Sequence, residues 1–276
     1  MPADGEAIKP NSSRIERRAA TAAALLAVFI SALLYLPNQW WKAALLLVLF
    51  GASWEWGALL KISLIGRWSF CALTIGSALA LWTMEDTAPP SGVIAASCGF
   101  WIFVAPAWLA GRWRVTSLPV LVLTGWVVVV PTWLALGQLQ IHPPELLAVL
   151  GVVWLMDTGA YLAGRTWGRH KLAVSISPGK TWEGVAGGVA LVAVYYAVLA
   201  GSLPEWNWWE GGRGVILFVV VTATSVIGDL FESWMKRQAG VKDSGGLLPG
   251  HGGILDRIDS MTASMPIAAA LLLYLR

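Results

Sequence analysis

The sequence predicts an all-α polytopic integral membrane protein with about nine transmembrane helices. Three observations carry that prediction. Hydrophobic residues make up 57% of the 276 residues and mean hydropathy is +0.66, far more apolar surface than a soluble domain of this length needs. Apolar runs of bilayer-crossing length recur along the whole chain. With the N-terminus cytoplasmic, sixteen of the nineteen Lys and Arg fall on the inner side, as the positive-inside rule requires.

A polar tail, residues 1–18, opens the chain. It has no small-residue cleavage site after the first apolar run, so no cleaved signal peptide is expected. Candidate spans follow at roughly 19–36, 43–60, 68–84, 91–110, 117–137, 145–164, 184–203, 213–236 and 259–275; the third and ninth are short enough to be re-entrant or tilted. Among the tryptophans, Trp40, Trp41, Trp68, Trp206, Trp208 and Trp209 lie near segment ends, where an amphipathic ring suits the headgroup layer. Cys71 and Cys98 sit inside apolar segments and read as small core residues. The connections at 37–42, 85–90, 138–144 and 204–212 are short and Pro-containing, and fall outside. Those at 165–183 and 237–258 are long, polar and Gly-rich, and fall inside. Without these two loops the basic residues still divide eight to three. Chemistry belongs on the long loops of one face, so the chain divides into a scaffold half (19–143) and a catalytic half (144–276), with the C-terminus external. The modest net charge of +3 points to no nucleic-acid partner.

Four constellations carry chemistry. On the eighth span, Asp229, Glu232, Ser233 and Lys236 are spaced to share one helix face. Ladders from Asp229 to Ser233 and from Glu232 to Lys236 would account for all but Asp229, which has no basic residue three or four positions away. After that span come Arg237, Lys242 and Asp243, then His251-Gly252-Gly253, then Asp256, Arg257 and Asp259. The helix dipole alone favours Asp256 and Asp259 at a helix start, by roughly 0.3–1 kcal/mol each. The paired glycines suggest a backbone approaching an anion, with His251 binding rather than abstracting a proton. On the sixth span, Asp157 stands inside an apolar run, a functional candidate by default, and shares a face with Tyr161 and Arg165. Its neighbours Gly159, Ala160, Ala163 and Gly164 read as a packing stripe. The last constellation, Ser175 to Glu183, contains Gly179-Lys180-Thr181. The phosphate-loop pattern needs a glycine where Val174 stands and a preceding strand, so that reading fails. A Ser-Pro turn opening a helix is the plain alternative. A Lys180 in its first turn would oppose the dipole and call for an anion beside it. Glu55, alone inside the scaffold half, has Lys61 as a simple pairing partner.

These residues resemble a known family. The run Ser233-x-Met-Lys-Arg-x₄-Lys-Asp-x-Gly-x₂-Leu-Pro-x-His-Gly-Gly-Ile-x-Asp-Arg-Ile-Asp259 is similar to the signature of the phosphatidate cytidylyltransferases, or CDP-diacylglycerol synthases. Asp157-Thr-Gly-Ala-Tyr, Ser177-Pro-Gly-Lys-Thr-Trp-Glu-Gly184, Gly228-Asp-Leu and Trp54-Glu-Trp fit it too. The resemblance implies a Mg²⁺-dependent transfer from CTP to phosphatidic acid, alone or with a second cation, by a homodimer in the bilayer of a bacterial-type inner membrane. Asp229, Asp256, Lys236, Arg237, Lys242 and His251 become catalytic candidates. Lys180, Ser177, Arg165, Ser233, Asp243, Gly252, Gly253 and Arg257 become substrate-binding candidates, with Lys180, Lys242 and Arg257 acting on phosphate charge. Asp229 and Asp256 are the first metal-ligand candidates, with Asp259 and Asp157 behind them. The rival readings are a CTP-dependent polyprenol or phytol kinase and, from another class, a membrane transporter; the chain shows no internal repeat to favour the latter.

Overall fold

Apolar runs become helices because in a bilayer each backbone N–H and C=O must be satisfied within its own segment. The computed structural model describes residues 26–85, 90–202, 212–247 and 252–275. Helices α1 (Leu26–Tyr35), α2 (Asn38–Leu59) and α3 (Leu64–Met84) are followed by α4 (Ser91–Gly99), a π-helical turn (Phe100–Val104) and α5 (Ala105–Gly111), which together form one span. Then come α6 (Leu118–Leu139), α7 (Pro143–Trp167), strands β1 (Lys171–Ala173) and β2 (Ser177–Thr181), α8 (Trp182–Ser202), α9 (Arg213–Ala239) and α10 (Leu255–Leu275).

Among the described residues, seven helices are long and apolar enough to cross a membrane. The chain is thus an all-α membrane protein, without nine crossings being established: α1 is described only from Leu26 and is shorter, and α10 is not one of the seven. One segment departs from the expected pattern. The stretch 165–183 is not an open loop. Helix α7 continues to Trp167, and β1 and β2 form an antiparallel hairpin with Lys171 opposite Thr181 and Ala173 opposite Ser177. Lys180 lies on β2, not in the first turn of a helix; Thr181 instead caps α8, its Oγ1 accepting the Gly184 N–H at 3.1 Å.

Two prolines sit inside helices, where each leaves a carbonyl four residues back without its N–H. Neighbouring helices supply the donors. Pro131 frees Val127 O, which accepts from Ser97 Oγ of α4 at 3.4 Å; Pro266 frees Thr262 O, which accepts from Thr132 Oγ1 of α6 at 3.2 Å. Tryptophans act likewise. Trp41 and Trp56 of α2 donate to Leu136 O and Leu121 O of α6, each at 3.1 Å, and Trp133 donates back to Lys42 O. Trp41 is therefore 3% exposed and an interior staple, not the headgroup anchor its position suggested; Trp40 and Trp68 are exposed, and Trp206, Trp208 and Trp209 lie outside the described residues. Cys71 and Cys98 are free thiols.

Two close helix contacts position the site. Glycines let the backbones of α7 and α8 touch: a Cβ on Gly159 would lie 2.9 Å from Gly188 Cα, and one on Gly184 would lie 2.8 Å from Ala160 O. The small-residue stripe of α7 is thus a packing surface. Likewise a Cβ on Gly228 would lie 2.5 Å from Asp259 O, so α9 meets α10 where Asp229 and Asp259 stand.

Candidate active site

A cavity of about 540 Å³ opens between α7, the hairpin, α8, α9 and the start of α10. Its wall contains Asp157, Asp229, Asp256 and Asp259 together with Lys180, Arg165, Ser177 and Tyr161. Residues more than a hundred positions apart meet here because the glycine contacts bring α7 against α8 and α9 against α10. All of the lining residues fall between Met156 and Asp259.

The carboxylates differ in how they are held. Asp229 forms an ion pair with Lys180 reaching in from β2, and the Ser233 hydroxyl lies 3.5 Å from its Oδ1. The partner that Asp229 lacks on its own helix thus comes from the hairpin, and it is the anion that Lys180 needs. Asp157 accepts from Ser260 Oγ at 3.2 Å. Asp256 is fully engaged: Oδ1 takes Lys236 Nζ at 2.6 Å, and Oδ2 takes the Ser244 and Gly253 N–H groups at 3.0 and 2.9 Å. Lys236 also pairs with Glu232 at 2.5 Å. Among the described residues, no three His, Cys, Asp or Glu side chains converge closely enough to hold a metal ion alone.

Several candidates sit away from the cavity wall. Lys236 and Ser233 are buried behind it. Arg237 donates to Ile176 O at 3.2 Å and to Val241 O at 3.1 Å, joining the hairpin to the end of α9. Lys242, Asp243 and Arg257 are exposed. The glycines do approach an anion, but a protein one. Gly252 has φ of +80°, and a Cβ there would lie 3.1 Å from Asp256 Oδ2; the Gly253 N–H is already spent on the same carboxylate. His251 lies outside the described residues.

Glu55 does not pair with Lys61. It is 1% exposed, and its Oε2 accepts from Ser244 Oγ at 3.0 Å and from the Leu255 N–H at 2.8 Å. A lone acid in an apolar run was the available signal; its partners, about 200 positions away, were not legible. Ser260 and Ser244, which hold Asp157 and Glu55, are ordinary hydroxyls whose sequence carries no sign of these roles.

The polar cavity adjoins an apolar one. A chamber of about 430 Å³ between α7, α8 and α9 shares Met156, Leu172, Val185 and Val226 with it and is otherwise lined mainly by Val, Ala and aromatic side chains. Such a pair of cavities suits a molecule with an anionic head and hydrocarbon tails.

The chain matches the model of a cytidylyltransferase family over residues 16–275. It is 34% identical to a phosphatidate cytidylyltransferase of Pseudomonas aeruginosa over 283 aligned residues, 94% of this chain and 97% of that protein. A phosphatidate cytidylyltransferase of Haemophilus influenzae is 50% identical over 127 residues (44% of this chain, 43% of that protein). One of Brucella suis is 51% identical over 128 residues, covering 46% and 44%.

Proposed function

The chain belongs to the cytidylyltransferase family, and from that premise we propose that it makes CDP-diacylglycerol, transferring the cytidylyl group of CTP to phosphatidic acid for phospholipid synthesis. The observation that carries this reading is the shared wall between the two cavities. An acidic and basic chamber for phosphate chemistry opens onto an apolar one that fits acyl chains.

In the transfer, a phosphate oxygen of phosphatidate attacks the α-phosphorus of CTP. The bond from that phosphorus to the bridging oxygen breaks, and pyrophosphate leaves. Lys180 and Arg165 face the space where the triphosphate must lie and offset its charge. Holding both substrates between α7, α8 and α9 supplies the orientation. Four carboxylates on one wall are the hard oxygen donors that Mg²⁺ takes, and Mg²⁺ needs only one or two of them when substrate phosphates complete its shell. Asp229, with Asp259 or Asp157, suits that role better than Asp256, which is held by Lys236 and by two backbone N–H groups of its own loop. Bound there, the ion would neutralise charge developing on the phosphate oxygens.

The test uses purified protein in micelles with phosphatidate and labelled CTP. A cytidylyltransferase moves α-phosphate label into the lipid, whereas a lipid kinase moves only γ-label. Lipid labelled from γ alone would replace this reading by the kinase one, and no labelled lipid from either position would leave the transporter reading.

We place the site on the cytoplasmic side of a nine-span chain working as a homodimer, on the basis of the basic-residue distribution and the family resemblance. Leu247, in the stretch that follows α9, is 46% exposed. In sealed inside-out vesicles, Leu247→Cys is expected to react with an impermeant maleimide, and in right-side-out vesicles to be silent; the reverse pattern would overturn the orientation.

A further inference from the structure

We propose that Glu55 is a positioning residue for this transfer: from the scaffold half it holds the two described ends of the segment between α9 and α10, at Ser244 and at Gly253–Leu255, and with them the start of α10, against the active-site cavity. The proposal rests on the cytidylyl-transfer reading above. Glu55 lies in α2, and no residue of α2 lines the cavity. Its carboxylate nevertheless takes the Ser244 hydroxyl at one end of the segment and the Leu255 N–H at the other.

Leu255 is the first residue of α10. Its N–H is one of the four donors that a helix leaves unsatisfied at its start, and negative charge there is favoured by the dipole. Glu55 therefore acts as a helix cap delivered from a distant helix. Asp256 takes the Ser244 and Gly253 N–H groups, so the two carboxylates grip the same segment. Asp256 and Asp259, one and four residues beyond Leu255, line the cavity; a shift in the start of α10 moves both.

The spacing of the glycines follows from this contact. A Cβ on Gly245 would lie 2.5 Å from Glu55 Oε1, and one on Gly253 would overlap both Glu55 and Ser244. At these two positions the backbone lies too close to the carboxylate for a side chain. Among the described residues, Glu55 Oε1 is buried without a hydrogen-bond partner.

The test compares full-length wild type with Glu55→Ala, Glu55→Gln and Ser244→Ala in phosphatidate micelles with CTP and Mg²⁺, and follows amide hydrogen exchange over 244–255. Glu55→Ala is expected to lower kcat by about 100-fold, the loss typical of a displaced site, with the KM for phosphatidate within about twofold. The amides of Gly253 and Leu255 are expected to exchange faster. Glu55→Gln keeps an acceptor at the Oε2 position and is expected to recover to within about tenfold of wild type. The proposal is overturned if Glu55→Ala keeps kcat within about threefold, or if exchange over 252–255 is unchanged. It is also overturned if Gln is no better than Ala while both melt early, which would make the role merely structural. Should Glu55→Ala fail to fold, Ser244→Ala carries the test, with faster exchange and a kcat loss of about fivefold expected; wild-type values in both would overturn the proposal. Wild-type protein that makes no CDP-diacylglycerol would instead refute the reaction reading, and exchange in the variants would still decide whether Glu55 holds the segment.

Discussion

Replacing Asp229 by Asn is expected to lower transfer by about 1,000-fold or more while the protein still folds. Asp229 faces the cavity from α9, and its partner Lys180 reaches it from the hairpin. Both side chains are about a quarter exposed (27% and 24%), so the pair contributes on the order of 1 kcal/mol or less to stability. Asn keeps the shape and removes the charge. The fold loses little, whereas a site that must gather phosphate and cation charge loses one of its principal anions. Activity and thermal melting of the purified variant check this together. Turnover within a few-fold of wild type at ordinary Mg²⁺ would remove Asp229 from the site.

Lys236→Met is expected to do the opposite, losing the fold first. Lys236 is buried between Glu232 and Asp256, at 2.5 and 2.6 Å. Met has a similar reach but leaves two carboxylates without their cation. Breaking a buried ion pair from one side costs roughly 3–5 kcal/mol, a fall of about 10 °C in melting midpoint for a chain of this size. Asp256→Asn is expected to destabilise for the same reason, and also because Asp256 holds the Ser244 and Gly253 N–H groups. A Lys236→Met protein that melts with wild type but has lost turnover would show Lys236 to be a phosphate-binding group after all.

These two variants separate residues that look alike in the sequence. Asp229 and Asp256 are both acids beside a signature of basic and glycine residues, and Lys180 and Lys236 are both lysines near a helix end. Sequence spacing indicates which side chains share a helix face; it does not indicate what the opposite face supplies. Lys180 was legible as a lysine that needs an anion, but the identity of that anion was not. The His-Gly-Gly run was legible as a backbone lying close to negative charge, yet at Gly252 and Gly253 that charge belongs to Asp256 and Glu55.

By itself the sequence determined the class of the protein and its family resemblance. Apolar runs of bilayer-crossing length favour helices, because within a bilayer a helix satisfies every backbone hydrogen bond inside its own segment. Acids placed inside those runs need a wet cavity or buried donors, because hydrocarbon does not tolerate them, and Asp157 and Asp229 were legible as candidates for that reason. The tertiary structure alone decided which of these groups meet. It paired Asp229 with Lys180, closed Lys236 and Asp256 into a clamp, turned residues 171–181 into a hairpin, and brought Glu55 from α2 to the start of α10. Each of those outcomes depends on a contact between helices far apart in the chain. Helix periodicity is local and carries no record of which neighbour a face will meet; that is settled by the close approach of glycines and by donors and acceptors finding one another across the bundle.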